Sequence, residues 1–255
     1  MIDIHSHILP GVDDGAVTEQ DSLAMAKAAV EEGITKIVAS PHHKNRTYDN
    51  YKDDIRKLVS VLNDLLASEK VPLEILVGQE VRIYGELVED YEQGDIQTIN
   101  DSKYILIEFP FDAVPNYAEQ LLYDIQRAGL IPVVVHPERN RELIENHQRM
   151  YELVRNGALT QVTAASVIGG FGKKIAQFTH QLIEANLTHF IASDAHNTTT
   201  RTFHLREAYE SVREQYGVDT YYMLMENSHL LIDNMNVNRF EPRAIRTRRR
   251  LFGLF

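Results

Sequence analysis

Over most of the chain, apolar runs of four to six residues alternate with stretches whose apolar positions recur every three or four residues. That alternation is the pattern of repeated β-α units feeding a parallel sheet. Residues 2–5 form the first such run. Thr18-Glu19-Gln20-Asp21 then reads as a helix cap with an acidic first turn, Leu23, Ala26 and Val30 share one face, and Gly33 ends the helix. A second strand at 37–39 precedes a long helix whose buried stripe is Ile55, Leu58, Val59, Leu62 and Leu66. Further strands are predicted at 73–77, 104–107, 131–135, 159–162 and 189–192, with Gly129 and Gly217 where helix C-caps belong. Seven strands with helices between them predict an α/β fold, a distorted (β/α)7 TIM-like barrel forming a single domain over residues 1–238.

The polar residues that break this pattern carry the chemistry. His5 ends the first run and His7 follows two residues on, so an extended backbone points both the same way. Asp13-Asp14-Gly15 follows in the next loop. Ser40-Pro41-His42-His43 closes the second strand, and Pro41 keeps Ser40 extended so that His42 is presented at the strand end. His43 is the weaker candidate of that pair. Glu80, Glu108 and His136 end three later segments, and Asp194 with His196 forms another i, i+2 pair after the last strand. Parallel barrel strands all open their C-terminal ends at one mouth, so these scattered groups would meet there. A strand-end histidine taken alone is ordinarily just hydrogen-bonded, and a strand-end glutamate is ordinarily a solvated rim residue. Six strand ends in agreement point instead to a cluster of divalent metals, because buried carboxylates need cations or water beside them. Arg139, three residues past His136, could fork onto two phosphate oxygens, and Arg201 lies just behind His196.

Composition sharpens this picture in two ways. Cysteine is absent, which removes thiolate nucleophiles and thiolate metal sites, so a metal must live on His, Asp and Glu. The net charge of −11 is uneven: residues 239–255 hold six Arg against one Glu, leaving a +5 tail on a −16 body. An acidic body argues against nucleic acid as a partner. The basic tail, ending in Leu and Phe, suits contact with an acidic partner or an anionic membrane surface, or simply a solvated end. No signal-like leader and no apolar run of membrane-spanning length stands in the sequence, so a cytoplasmic location is expected. Gly169-Gly170-Phe171-Gly172-Lys173 invites a phosphate-loop reading, but Val167 and Lys174 stand where that motif needs Gly and Ser or Thr. His147, His180, His204 and His229 fall away from strand ends, and His189 starts a strand at the end opposite the mouth. Phe109-Pro110-Phe111 and Tyr48 could wall an aromatic group near the mouth, or serve only in core packing.

With His5-Ser6-His7, His42, Glu80, Glu108, His136-Pro137-Glu138-Arg139 and Ser193-Asp194-Ala195-His196-Asn197 assembled, the chain resembles the PHP (polymerase and histidinol phosphatase) superfamily. More narrowly, it is similar to the manganese-dependent bacterial tyrosine-protein phosphatases of the CpsB/YwqE type, associated with capsule and exopolysaccharide kinases. The resemblance implies three Mn²⁺ ions, with Fe²⁺, Mg²⁺ or Zn²⁺ open alternatives. One ion would take His5, His7, Glu80 and Asp194, a second Glu80, Glu108 and His136, and a third Asp14, His42 and His196. Arg139 and Arg201 would hold phosphate, and a metal or a proton from His42 or His196 would stabilise the departing phenolate. Three divalent ions against four carboxylates leave two positive charges, which a phosphate dianion would neutralise. The implied reaction is hydrolysis of phosphotyrosine by metal-activated hydroxide, on proteins phosphorylated by a bacterial tyrosine kinase and on that kinase itself. A small-molecule phosphatase of the histidinol-phosphate kind and a non-catalytic partner in polysaccharide synthesis are the alternative readings.

Overall fold

The computed structural model describes residues 1–245; residues 246–255, which include most of the arginines of the basic tail, lie outside the described residues. The strands are β1 (Ile2–Ser6), β2 (Lys36–Ala39), β3 (His42–His43), β4 (Glu74–Val77), β5 (Glu80–Arg82), β6 (Tyr104–Glu108), β7 (Ile131–Val135), β8 (Leu159–Thr163) and β9 (Phe190–Ala192). All seven predicted strands are present. The two additional ones, β3 and β5, continue β2 and β4 beyond short breaks at Ser40-Pro41 and Gly78-Gln79. Periodicity could not announce them, since two or three largely polar residues make no pattern.

Every pairing between these strands is parallel, in the orders β1-β2-β4 and β3-β5-β6-β7-β8-β9. Because β2 runs on into β3 and β4 into β5, these two sheets are consecutive stretches of one seven-position ring. Closure occurs just past β9, where Asp194 N donates to His5 O and His7 N donates to Ala195 O, both at 2.9 Å, with a parallel bridge between Ser6 and Ala195. Buried Asp3 adds a second tie, its carboxylate accepting from the backbone N–H (3.0 Å) and the hydroxyl of Ser193.

Alternate strand positions feed two apolar clusters. One set, including Ile37, Ile75, Ile105, Val134, Val162 and Ile191, packs with helix residues such as Ile55, Leu62, Leu122 and Leu182. The other set, including Ile4, Val38, Leu106, Val133, Leu159 and Phe190, is made of strand residues capped by Leu231, Ile232 and Val237, and so fills the barrel interior. Helix Glu19–Glu31 starts with the predicted Thr18 cap, in a reciprocal capping box with Asp21. Its buried face is Ser22, Met25, Ala26 and Ala29, rotated from the predicted one, with Leu23 and Val30 at the flanks. In helix Lys52–Ser68 the buried stripe is Ile55, Val59, Leu62 and Leu66, with Leu58 at its margin.

Of the tail defined at 239–255, the first residues run along the body. Arg243 N donates to Ala185 O at 2.8 Å and Asn186 Nδ2 donates to Glu241 O at 2.9 Å. No helix among the described residues is long and apolar enough to cross a membrane.

Candidate metal centre

The two-residue period of the strands aims the site. Glu108 follows Tyr104 and Leu106, Gln161 follows Leu159, and Asp194 follows Phe190 and Ala192, so each polar group tops the interior apolar column of its strand. His5 breaks that rule. Ile2 and Ile4 already face the interior, and His5 joins them at the irregularity in the β1–β2 register between Asp3 and Ser6.

Glu80, fully buried, is the hub. Its Oε2 lies 2.8 Å from His42 Nδ1, 3.4 Å from His7 Nε2 and 3.5 Å from His5 Nε2, while Oε1 meets His136 Nε2 at 2.8 Å. Asp194 Oδ1 sits 3.3 Å from His7 Nε2, 3.6 Å from His196 Nδ1 and 3.7 Å from His5 Nε2. Asp14 Oδ1 lies 3.3 Å from His196 Nε2 and 3.4 Å from His42 Nε2, and Glu108 Oε2 is 3.9 Å from His42 Nδ1. All nine residues singled out at strand ends and in the Asp14 loop therefore meet at one mouth. Donor atoms of His5, His7 and Glu80 form one tight group, those of His42, Glu80 and Glu108 a second, and those of His7, Asp14, His42 and His196 a third. His42 thus borders two groups and His7 two, where the sequence resemblance gave each a single ion.

The donor atoms suit cations and little else. His5 Nε2, His7 Nε2, His42 Nδ1, His196 Nε2, Glu80 Oε2 and Glu108 Oε2 are all buried and make no hydrogen bond. Six unsatisfied polar atoms facing one another would be costly, and ions among them would remove the cost. Three imidazoles are oriented from behind. His5 Nδ1 meets Gln161 Oε1 at 2.9 Å, His7 Nδ1 meets Asp13 Oδ2 at 2.7 Å, and His196 Nδ1 meets the Asp194 carbonyl at 2.8 Å. Each partner is an acceptor, so the proton belongs on Nδ1 and the Nε2 lone pair is free to ligate. Asp13 also accepts from Gly15 N (2.9 Å) and His42 N (3.2 Å), binding the loop to two ligands. Gly15 is required there, since a Cβ would stand 2.1 Å from His7 O. His136 and Asp194 adopt left-handed backbone, φ 35° and 53°, a strained state for non-glycine residues that turns both side chains into the mouth.

Without cations the cluster shares protons. Burial, and then the neighbouring Glu80, pushes the Glu108 carboxyl up to about 7. Burial and the Arg139 charge push His136 down to about 4. Burial opposes charge on His42 too, but Glu80 and Asp14 outweigh it and hold its pKa at about 10. At the rim, Arg139 Nη1 and Arg201 Nη2 both donate to Asp194 Oδ2, the latter at 2.9 Å, and Arg82 Nε lies 3.0 Å from Glu108.

The sequence pattern assigns no role to Asp13, which it shows only within Asp13-Asp14-Gly15, nor to Gln161 or Arg82. Gln161 carried a usable signal, as a polar residue in mid-strand two positions after Leu159 and beside Val162. His43 stays outside the cluster, buried against Tyr51 and Tyr84. His189 lies at the far end as expected, its Nδ1 accepting from Thr160 N at 3.1 Å. Of the aromatic wall, Phe109 is buried in the core, whereas Tyr48 lies nearly parallel to His42 at 6.3 Å and Phe111 stands exposed.

Residues 1–233 match the family model described as capsular polysaccharide synthesis, CpsB/CapC. The chain is 51% identical to the tyrosine-protein phosphatase YwqE of Bacillus subtilis over 255 residues, the full length of both. A crystal structure from work on YwqE of Bacillus subtilis and CpsB of Streptococcus pneumoniae, metal-dependent tyrosine phosphatases, superposes with a TM-score of 0.95 at 51% identity, covering 97% of this chain and all of that one. Histidinol phosphate phosphatase of Lactococcus lactis, 13% identical, superposes with a TM-score of 0.54 over 96% of this chain and 98% of its own, a likeness of fold.

Proposed function

Because the chain belongs to the CpsB/CapC family, we propose that it is a metal-dependent protein-tyrosine phosphatase, a hydrolase acting on phosphotyrosine in capsule or exopolysaccharide synthesis. The carrying observation is the ring of six buried donor atoms that make no hydrogen bond, beneath two arginines. Three Mn²⁺ ions are the proposed complement, held by His5, His7, Glu80 and Asp194, by Glu80, Glu108 and His136, and by Asp14, His42 and His196. When bound, such ions polarise phosphoryl oxygens and acidify water.

The chain's own residues do the rest. Arg139 and Arg201, already side by side on Asp194 Oδ2, hold the non-bridging phosphate oxygens as charge builds on them. The departing phenolate is stabilised by a metal or by a proton, and the proton's source can be weighed between two histidines. His196 has committed its Nδ1–H to the Asp194 carbonyl and turns its other nitrogen to the cluster, so it has none to give. His42 presents both ring nitrogens to carboxylates, Nδ1 to Glu80 and Nε2 to Asp14. His42 is also the more exposed of the two, 12% against 1%, so as a ligand of a single ion through one nitrogen it would keep an N–H on the other, and we propose it as the proton donor.

The proposed substrates are phosphoproteins of a bacterial tyrosine kinase, and the kinase itself, in the cytoplasm. Residues 239–255 form the proposed separate unit for contact with an acidic partner or membrane surface. The test is turnover of a phosphotyrosine peptide, histidinol phosphate and a nucleotide after chelation and after Mn²⁺ addition, with elemental analysis of the purified protein. Phosphotyrosine hydrolysis should vanish on chelation and return with Mn²⁺. Activity in the chelated protein, or preference for histidinol phosphate, would overturn the reading.

A further inference from the structure

Two exposed phenylalanines from different loops converge on one phosphate-binding guanidinium. Seven phenylalanines lie among the described residues, and Phe109, Phe178, Phe190 and Phe203 are buried in the core. Of the three exposed ones, Phe111 (52% exposed) and Phe171 (37% exposed) both stand against Arg139, their ring centroids 5.4 and 5.1 Å from its Cζ. Phe111 belongs to the loop after β6, and Phe171 to the loop between helices Ala164–Val167 and Lys173–Glu184. The glycine-rich stretch around Phe171 gains an explanation here. Gly169 and Gly172, on either side of the ring, take φ of 85° and 91°, positive values that glycine adopts without steric cost. Phe111 also lies nearly parallel to His136, 6.4 Å away at 15°, and His136 touches Glu80. The rings therefore begin where the phosphate and metal groups end.

We propose that Phe111 and Phe171 are specificity-determining residues that receive the aromatic ring of an aryl phosphate, selecting phosphotyrosine over alkyl phosphates. The inference rests on the phosphatase reading above and adds its substrate selectivity. In an aryl phosphate the ring starts one oxygen from phosphorus, so whatever recognises the ring must adjoin the arginine that holds the phosphate. Both phenylalanines meet that condition. Water-exposed rings gain little from the free protein's fold, whereas a substrate ring packed against them would bury apolar area and add edge or offset stacking.

A role confined to steadying Arg139 would make a different prediction, and binding of non-reacting ligands separates the two. Calorimetry on the Mn²⁺-loaded protein would compare phenylphosphonate, methylphosphonate and inorganic phosphate for the wild type, Phe111→Ala, Phe171→Ala and the double variant. Phenylphosphonate should weaken about tenfold or more in the double variant, while the other two change less than about threefold. Phe111→Tyr and Phe171→Tyr, which keep a ring, should restore most of the phenylphosphonate affinity. Equal weakening of all three ligands would show that the rings only hold Arg139, and no weakening of any would show that they touch nothing; either overturns the proposal. Because binding and not turnover is read, failure of the phosphatase reading would appear separately, as absent phosphotyrosine hydrolysis in the wild type. Both side chains are exposed, so the variants should fold, and unchanged melting curves would verify it.

Discussion

Replacing Asp13 by Asn should weaken metal binding at a distance of one residue from any ligand bond. The carboxylate is shielded from solvent and serves three donors: His7 Nδ1 at 2.7 Å, Gly15 N at 2.9 Å and His42 N at 3.2 Å. Its pKa lies below the usual carboxylate range because the His7 charge outweighs the opposing effect of burial. An amide cannot accept on both sides. With its oxygen toward His7 and His42, the NH₂ group faces the Gly15 N–H, losing one hydrogen bond worth about 1 kcal/mol. The bond to His7 also ceases to be charge-assisted, which costs about another 1 kcal/mol. In the opposite orientation His7 must accept at Nδ1 and carry its proton on Nε2, the nitrogen that faces Glu80 and Asp194, and ligation is blocked. Either arrangement predicts a loss of roughly 10- to 100-fold in Mn²⁺ affinity, about 1.4 to 2.7 kcal/mol, read by calorimetric titration of the chelated protein. An Asp13→Asn variant binding Mn²⁺ within twofold of wild type would refute the assignment of the His7 tautomer and of its lone pair to the metal centre.

Metal uptake should expel protons. In the metal-free protein His42 holds its proton up to about pH 10, and His5 and His7 are raised as well, burial being outweighed by Glu80 and Asp194 for His5 and by Asp13 with them for His7. Cations and protons thus compete, and affinity for Mn²⁺ should fall as pH drops from roughly 8 to 6; calorimetry in buffers of differing protonation heat would expose the alternative, binding without proton release. Arg139→Lys removes the planar fork while keeping charge, and should lower kcat/KM on phosphotyrosine about 10- to 100-fold with metal content unchanged. If elemental analysis instead shows lost metal, Arg139 acts mainly by holding Asp194. Gly15→Ala forces backbone or His7 to move, because the new Cβ would sit 2.5 Å from His7 Cβ. It should destabilise by about 1 to 3 kcal/mol, and a melting temperature matching wild type would contradict the contact.

Much of the site was legible in the residues alone. An apolar strand that ends in His, Asp or Glu is a local pattern, and burying such a group is expensive enough that chance placement at six ends is hard to sustain. Alternation likewise predicted that His5 and His7 act together, and the absence of cysteine limited the metal donors to nitrogen and oxygen. What the sequence by itself determined was therefore which residues face the mouth and what kind of fold would bring them there. Only the tertiary structure decided how they are grouped. That His42 borders Asp14 on one side and Glu80 with Glu108 on the other, that Gln161 and Asp13 orient His5 and His7, and that Phe111 and Phe171 meet on Arg139 are distances between separate segments. They arise when β9 and its following residues close the ring onto β1, with the register shift near His5 and the left-handed backbone at His136 and Asp194 setting the final aim. Periodicity describes what neighbours along a chain do, and ring closure with local strain acts between residues as much as 190 positions apart, which is why one was readable beforehand and the other was not.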